Sequence, residues 1–236
     1  MPMEILIQTL RCIGNLLIFL AICLIVLIPA RKLLKIPSFV FRKVLHIVAF
    51  SCVSLMILFA GKWVAAALCA LLIAAAAYPA LAVLEHLPWF EKFFVQKSAG
   101  EIKRSCLLLF FMFALLIAVS WGVFGQPRLA VASILMWGTG DAAAALVGIP
   151  LGKHKVKLPL TDGKKSWEGT AAMFGTSFAV GLAVLLLAQN FSVPHASVAA
   201  AAGALIAAAT ELFSPSEYDT VTVPLAVITV LLIIAR

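Results

Sequence analysis

One aspartate interrupts an apolar run, Gly140-Asp141-Ala-Ala-Ala-Ala-Leu-Val-Gly148, and a polar stretch follows it: Gly152-Lys153, then Asp162-Gly-Lys-Lys-Ser-Trp-Glu-Gly-Thr170. Five lysines (153, 155, 157, 164 and 165) fall within 24 residues of Asp141. A carboxylate beside a glycine–lysine loop suits a magnesium-bound polyphosphate. A charge inside an apolar span costs at least ~2.5–3.5 kcal/mol, so such a residue is functional or paired with a structural cation. Gly138, Gly140, Gly148 and Gly152 let the backbone open or another group come close, and they also suit a small-residue packing face. No strand precedes Gly138-x-Gly140, which excludes both a Rossmann fingerprint and a P-loop.

Loop 150–169 carries five lysines against Asp162 and Glu168. Ordinary positive-inside retention accounts for Lys153, Lys155 and Lys157. It does not account for Lys164-Lys165-Ser166-Trp-Glu-Gly169-Thr170 set against the next apolar run. A helix starting near Ser166 would aim free N–H groups and its positive end at an anion, and Lys164 and Lys165 would add point charges. Glu168 would hold a second magnesium or orient a water, or simply be a carboxylate favoured in a first helical turn. In Phe41-Arg42-Lys43-Val-Leu-His46, Arg42 and His46 are four apart and share one side of a helix; a basic cluster at a membrane edge explains this equally. Glu211-Leu-Phe-Ser-Pro-Ser-Glu-Tyr-Asp219 places three carboxylates where retention gives no reason for them. Magnesium takes one or two protein carboxylates plus waters and phosphates. Asp141 and Asp219, with Glu168 or Glu211, supply that number, and phosphoryl transfer needs mainly positioning and charge neutralisation.

The elements that carry these residues must be membrane helices. The hydrophobic fraction is 64% and only 12% of residues are charged, more apolar surface than a soluble domain of this length could cover. The apolar runs predict spans at roughly 5–28, 44–60, 63–84, 105–124, 129–149, 170–190, 197–213 and 221–235. The last two are short, which gives an all-α integral membrane protein, a polytopic bundle of seven to eight transmembrane helices in a single domain over 1–236. The runs are Leu/Ala-rich without alternation, so strands are excluded. With the N-terminus outside, 14 of the 18 Lys/Arg fall on one side, including Lys92 and Lys97, and nine of the ten acids lie on or near it. The positive-inside rule makes that face cytoplasmic. The net charge of +8 is therefore no nucleic-acid signal. A transporter or scramblase would place polar groups in the outer halves of the spans; few stand there, mainly Asn15, Ser120 and Gln189. The five cysteines imply no disulfide or metal framework. Leu87-Pro88-Trp89-Phe90 and Phe93-Phe94 read as an interfacial turn. The set Ala199, Gly203, Ala207 reads as helix packing. The first apolar run reads as a retained span, with no transit peptide before it, which favours a bacterial inner membrane. Oligomeric state has no signal.

Arg42-Lys-x-x-His46, Gly140-Asp141-x-x-Ala, Gly148, Gly152-Lys153, Lys165-Ser-x-Glu-Gly-Thr170 and Glu211-x-x-Ser-Pro…Asp219 with Val-Pro224 resemble, in order and over about 40–225, the polyprenol kinase family. That family includes phytol kinase, dolichol kinase and CTP-dependent diacylglycerol kinase, and is distantly similar to CDP-diacylglycerol synthase. Glu101 also resembles a family feature. The resemblance implies a membrane enzyme that moves the γ-phosphoryl group of a nucleoside triphosphate, usually CTP, to a lipid alcohol with Mg²⁺. It implies Asp141, Lys165, Glu168 and Asp219 as catalytic residues. Gly140, Gly148, Gly152, Lys153, Lys164, Ser166 and Gly169 would bind nucleotide, closed by Arg42, Lys43 and His46. Asp141, Glu168, Glu211 and Asp219 would be the metal ligands. Thr220 departs from the Asp-Asn that the family often carries. The stretch Lys164-Lys165-Ser-Trp-Glu-Gly is also similar to CDP-diacylglycerol synthase, whose His-Gly-Gly…Asp-Arg-x-Asp signature is absent. Cytidylyl transfer to a phosphatidate or polyprenyl phosphate is the second reading, and a small transporter the third.

Overall fold

Continuous apolar sequence must satisfy its own backbone hydrogen bonds in lipid, and the helix is the element that does so within one segment. The computed structural model describes residues 2–87, 90, 100–157, 161, 163–188, 191–215 and 218–234. Among them the helices are α1 Pro2–Leu33, α2 Ser38–Phe59, α3 Trp63–Leu84, α4 Glu101–Ile117, α5 Pro127–Leu151, α6 Trp167–Leu187, α7 Val193–Phe213 and α8 Asp219–Ile234. Helix α4 runs on as a wider π-helical stretch, Ala118–Val123. Seven of these are long and apolar enough to cross a membrane, counting α4 with its extension; α8 is the short one. The protein is thus an all-α polytopic membrane protein, as its composition requires. The interfacial turn expected at Pro88, Trp89, Phe93 and Phe94 lies outside the described residues, as do Lys92, Lys97, Asp162, Gln189 and Glu217.

The chain divides into two compact units, Met1–Ala118 and Val119–Arg236. In the first, α3 packs on α4 and α1 lies against α2 and α3. Phe50 and Phe113 meet edge to face at 5.0 Å in its core. Helix α1 buries only Thr9, Cys12 and Leu16, while Ile18, Ile22, Ile25 and Val26 are exposed, a face that suits lipid.

In the second unit α5 packs on α6, α6 on α7, and α7 on α8, with α5 also touching α8. Small residues bring these helices close. A side chain at Gly169 would sit 2.9 Å from the Ala144 carbonyl oxygen, and one at Gly148 would sit 3.3 Å from the Gly169 Cα, so α5 and α6 approach backbone to backbone there. Met136 is fully buried, its thioether lying where side chains at Gly181 and Gly203 would be. Ala199, Gly203 and Ala207 are all buried, the packing role their spacing predicts. Buried hydroxyls find carbonyls across helices: Ser177 donates to Met136 O at 2.8 Å and Ser133 to Pro224 O at 3.3 Å. At the opposite end from the lysine loop, Arg128 donates to the Leu187 carbonyl at 3.0 Å, on the last turn of α6.

Candidate active site

The polar chemistry of the second unit gathers where α5 and α7 end and α6 and α8 begin. Local sequence sets the loop there. Ser166 is the N-cap of α6, its hydroxyl accepting from the Gly169 N–H at 3.2 Å, so the helix starts where the Ser-Trp-Glu-Gly spacing predicts. The same residue bridges antiparallel to Lys155. Val156 N–H donates to Lys165 O at 3.0 Å and Trp167 N–H to His154 O at 3.1 Å, pairing 154–156 with 165–167 as the two arms of a short hairpin. Gly163 sits at φ 69°, left-handed backbone that glycine adopts without strain. Val156 is buried and anchors the hairpin. The Lys155 ammonium donates to Lys164 O at 3.1 Å, so that lysine ties the hairpin's two sides.

Glu168 fixes the entry to this hairpin. Its carboxylate accepts from the backbone N–H of Lys153 at 3.2 Å and of His154 at 3.2 and 3.3 Å, and lies 2.6 Å from His154 Nδ1. A negative charge in the first turn is also favoured by the helix's positive end. Of the roles expected for Glu168, holding a second magnesium, orienting a water or sitting as a first-turn carboxylate, the geometry displays the last, with ties to Lys153 and His154 added. His154 escaped the sequence reading because the loop was judged by its lysines; its position fourteen residues before an acid gave no helical spacing to flag it.

Lys165, expected to hold phosphate, keeps its ammonium inside the protein. It lies 3.0 Å from Glu211 Oε1 and donates to the carbonyls of Glu211 and, at 2.9 Å, Ser214. The two side chains are only 10% and 12% exposed, so the pair is largely desolvated. Three ammonium donors thus meet three oxygens at the carboxyl end of α7, a lysine cap on its last carbonyls. Ser214 in turn shares a hydrogen bond with Thr222 of α8 at 2.6 Å. One lysine therefore joins the hairpin to the α7–α8 turn.

Asp141 is half-buried, ten residues before the end of α5, about 15 Å along the axis. Gly140, beside it, faces Met173 and Ser177 of α6. Gly148 and Gly152 both face the Ser166 hydroxyl, so they allow the close approach that sets the N-cap. Lys153 and Lys164 are exposed, and Asp219 is half-buried in the first turn of α8. In the first unit, Arg42 reaches Glu101 at 4.0 Å, and the His46 ring lies 4.3 Å from that of Phe50; Lys43, half-buried, follows Arg42 on α2.

Among the described residues no three His, Cys, Asp or Glu side chains converge on a metal position. Magnesium carried by a triphosphate needs only one or two protein carboxylates, so the residues present fit it without a protein cage.

A family model described as the cytidylyltransferase family matches residues 2–232. Over 101 residues the chain is 39% identical to a phytol kinase of Synechocystis sp.; the match covers 43% of this chain. It spans less than half, 42%, of that relative's length. No solved structure matches.

Proposed function

Because the chain belongs to the cytidylyltransferase family, we propose that it handles a cytidine nucleotide at the membrane surface, as a kinase that transfers the γ-phosphoryl group of CTP to a lipid alcohol. The similarity to a phytol kinase carries the choice of kinase. The acceptor class is a primary alcohol on an isoprenoid, polyprenol, dolichol or diacylglycerol-type chain. The acceptor oxygen bonds to the γ-phosphorus, the bond from that phosphorus to the β-bridging oxygen breaks, and CDP leaves with the electron pair. Asp219 takes the hydroxyl proton. Lys153 and Lys164, exposed on the hairpin, neutralise phosphate charge, with the α6 start behind them. Asp141, assisted by Asp219, would hold Mg²⁺, which would supply charge neutralisation on the phosphates. Glu168 and Lys165 position the hairpin, and Gly140, Gly148, Gly152, Ser166 and Gly169 let it pack. The reacting groups face the cytoplasm of a multi-pass protein, in the inner membrane if the source is bacterial.

The family's name favours a second reading, cytidylyl transfer with release of pyrophosphate. Purified protein given Mg²⁺, a panel of lipid alcohols with phosphatidate, and CTP labelled at the α or the γ position separates them. Label reaching lipid from the γ position supports the kinase, and the accepted lipid names the substrate. Label arriving only from the α position replaces the kinase with the transferase.

A further inference from the structure

A groove of about 510 Å³ lies between α7 and α8, within the usual range for ligand sites. Its walls grade in polarity along the helices. Ile206 lines the part deeper in α7, Ala209 and Thr210 come next, then Phe213, and Ser214, Tyr218 and Thr222 close the end at the turn. Its surface is overwhelmingly apolar, and its polar groups, Thr210, Ser214, Tyr218 and Thr222, lie toward the turn. Phe213 and Tyr218 are exposed at its rim, so it opens sideways from a membrane-spanning helix, continuous with the surface that meets lipid. The polar end is built: Ser214 is buried, its hydroxyl 2.6 Å from that of Thr222, and its carbonyl accepts from the Lys165 ammonium at 2.9 Å. The wall of the groove and the lysine hairpin are therefore joined by a hydrogen bond, from Lys165 to the Ser214 carbonyl.

The geometry points to this groove as the site that holds the acceptor lipid alcohol, its chain along Ile206, Ala209 and Phe213 and its hydroxyl among Ser214, Tyr218 and Thr222. This assignment rests on the kinase reading for its ligand class. An amphiphile with one small uncharged head matches a groove with apolar depth and a hydroxyl-lined end. A phosphate-bearing head would bring two charges to a place lined by hydroxyls and an aromatic ring, whereas an alcohol exchanges hydrogen bonds with them at no charge cost. Lys165 would then set the distance between the acceptor hydroxyl and the hairpin that carries the phosphate-binding lysines.

Two measurements on the full-length protein test this. In the first, a diazirine-bearing long-chain primary alcohol is photocrosslinked to the protein and the modified peptides are mapped. Adducts on 206–222, competed by unlabelled alcohol, are expected; competed adducts confined to other helices overturn the site. In the second, Ala209→Trp fills the groove, while Val198→Trp, exposed on α7 about three turns farther from the groove's polar end, serves as control. Ala209→Trp should lower competed crosslinking about tenfold and raise the KM for the alcohol by a similar factor, with the KM for CTP unchanged. Equal effects of the two substitutions, or none from Ala209→Trp, overturn the assignment. Crosslinking reads binding without turnover, so a protein that binds alcohol here yet transfers no γ-phosphate would sink the kinase reading and leave the groove standing.

Discussion

Lys165 is the residue whose surroundings change its meaning most. A lysine with its ammonium against a carboxylate and two carbonyls is held by the protein, and removing the charge strands Glu211 in a nearly dry place. Breaking such a pair typically costs about 3–5 kcal/mol, while replacing both partners by apolar groups is much milder. Lys165→Met should therefore lower the thermal stability of the detergent-solubilised protein sharply, and Lys165→Met with Glu211→Leu should recover part of it. An additive loss in the double variant would show that the pair is not coupled. Asp141 gives the complementary test. Asp141→Asn keeps size and removes charge, so turnover should vanish while insertion and melting temperature hold; activity retained in that variant would remove the metal assignment. Asp141 was legible because a carboxylate in an apolar run is costly wherever it points. The Lys165–Glu211 pair was not, because 46 residues separate the partners and no helical or strand spacing relates them. Both residues stood out as charges, but which faced a ligand and which faced each other is a tertiary fact.

At the scale of elements, hydropathy marked every helix core and mislaid several ends. Helix α6 begins at Trp167 where the apolar run suggests 170, because the Ser166 cap extends it over polar residues. Helix α7 begins at Val193 instead of 197, since Pro194 fits a first turn. Capping chemistry set these boundaries, and the serine before Trp-Glu-Gly was its visible sign. The pairing of 154–156 with 165–167 was less legible, for its cross-links are backbone bonds that any side chain permits. Gly169 joins the hairpin to the helices, packed against Ala144 and Gly148. Gly169→Val would push α6 off α5 where the N-cap forms; overpacking of this kind costs about 1–3 kcal/mol. A lowered melting temperature together with reduced turnover is expected, whereas Gly175→Val, where nothing lies within 4 Å, should change neither.

For the whole molecule, composition alone demanded a bundle of membrane helices, and among the described residues seven long apolar helices with a shorter eighth answer it. Sidedness follows from charge: in the second unit the lysine hairpin lies at one end, and the turns near Gln126 and Ser192 lie at the other. In a cysteine-free background, Lys157→Cys should react with a membrane-impermeant maleimide only after permeabilisation of intact cells. Gln126→Cys and Ser192→Cys should react without it. The reverse pattern would turn the loop outward and remove it from cytosolic nucleotides. Inside this unit, the thioether of Met136 occupies the space left by Gly181 on α6 and Gly203 on α7. A single peg seated in two notches locks three rods against sliding. Any axial slip of α5 would have to lift the peg from both notches at once. Rearrangement on ligand binding is therefore directed to the hairpin and the helix ends, while the rods behind them stay in register.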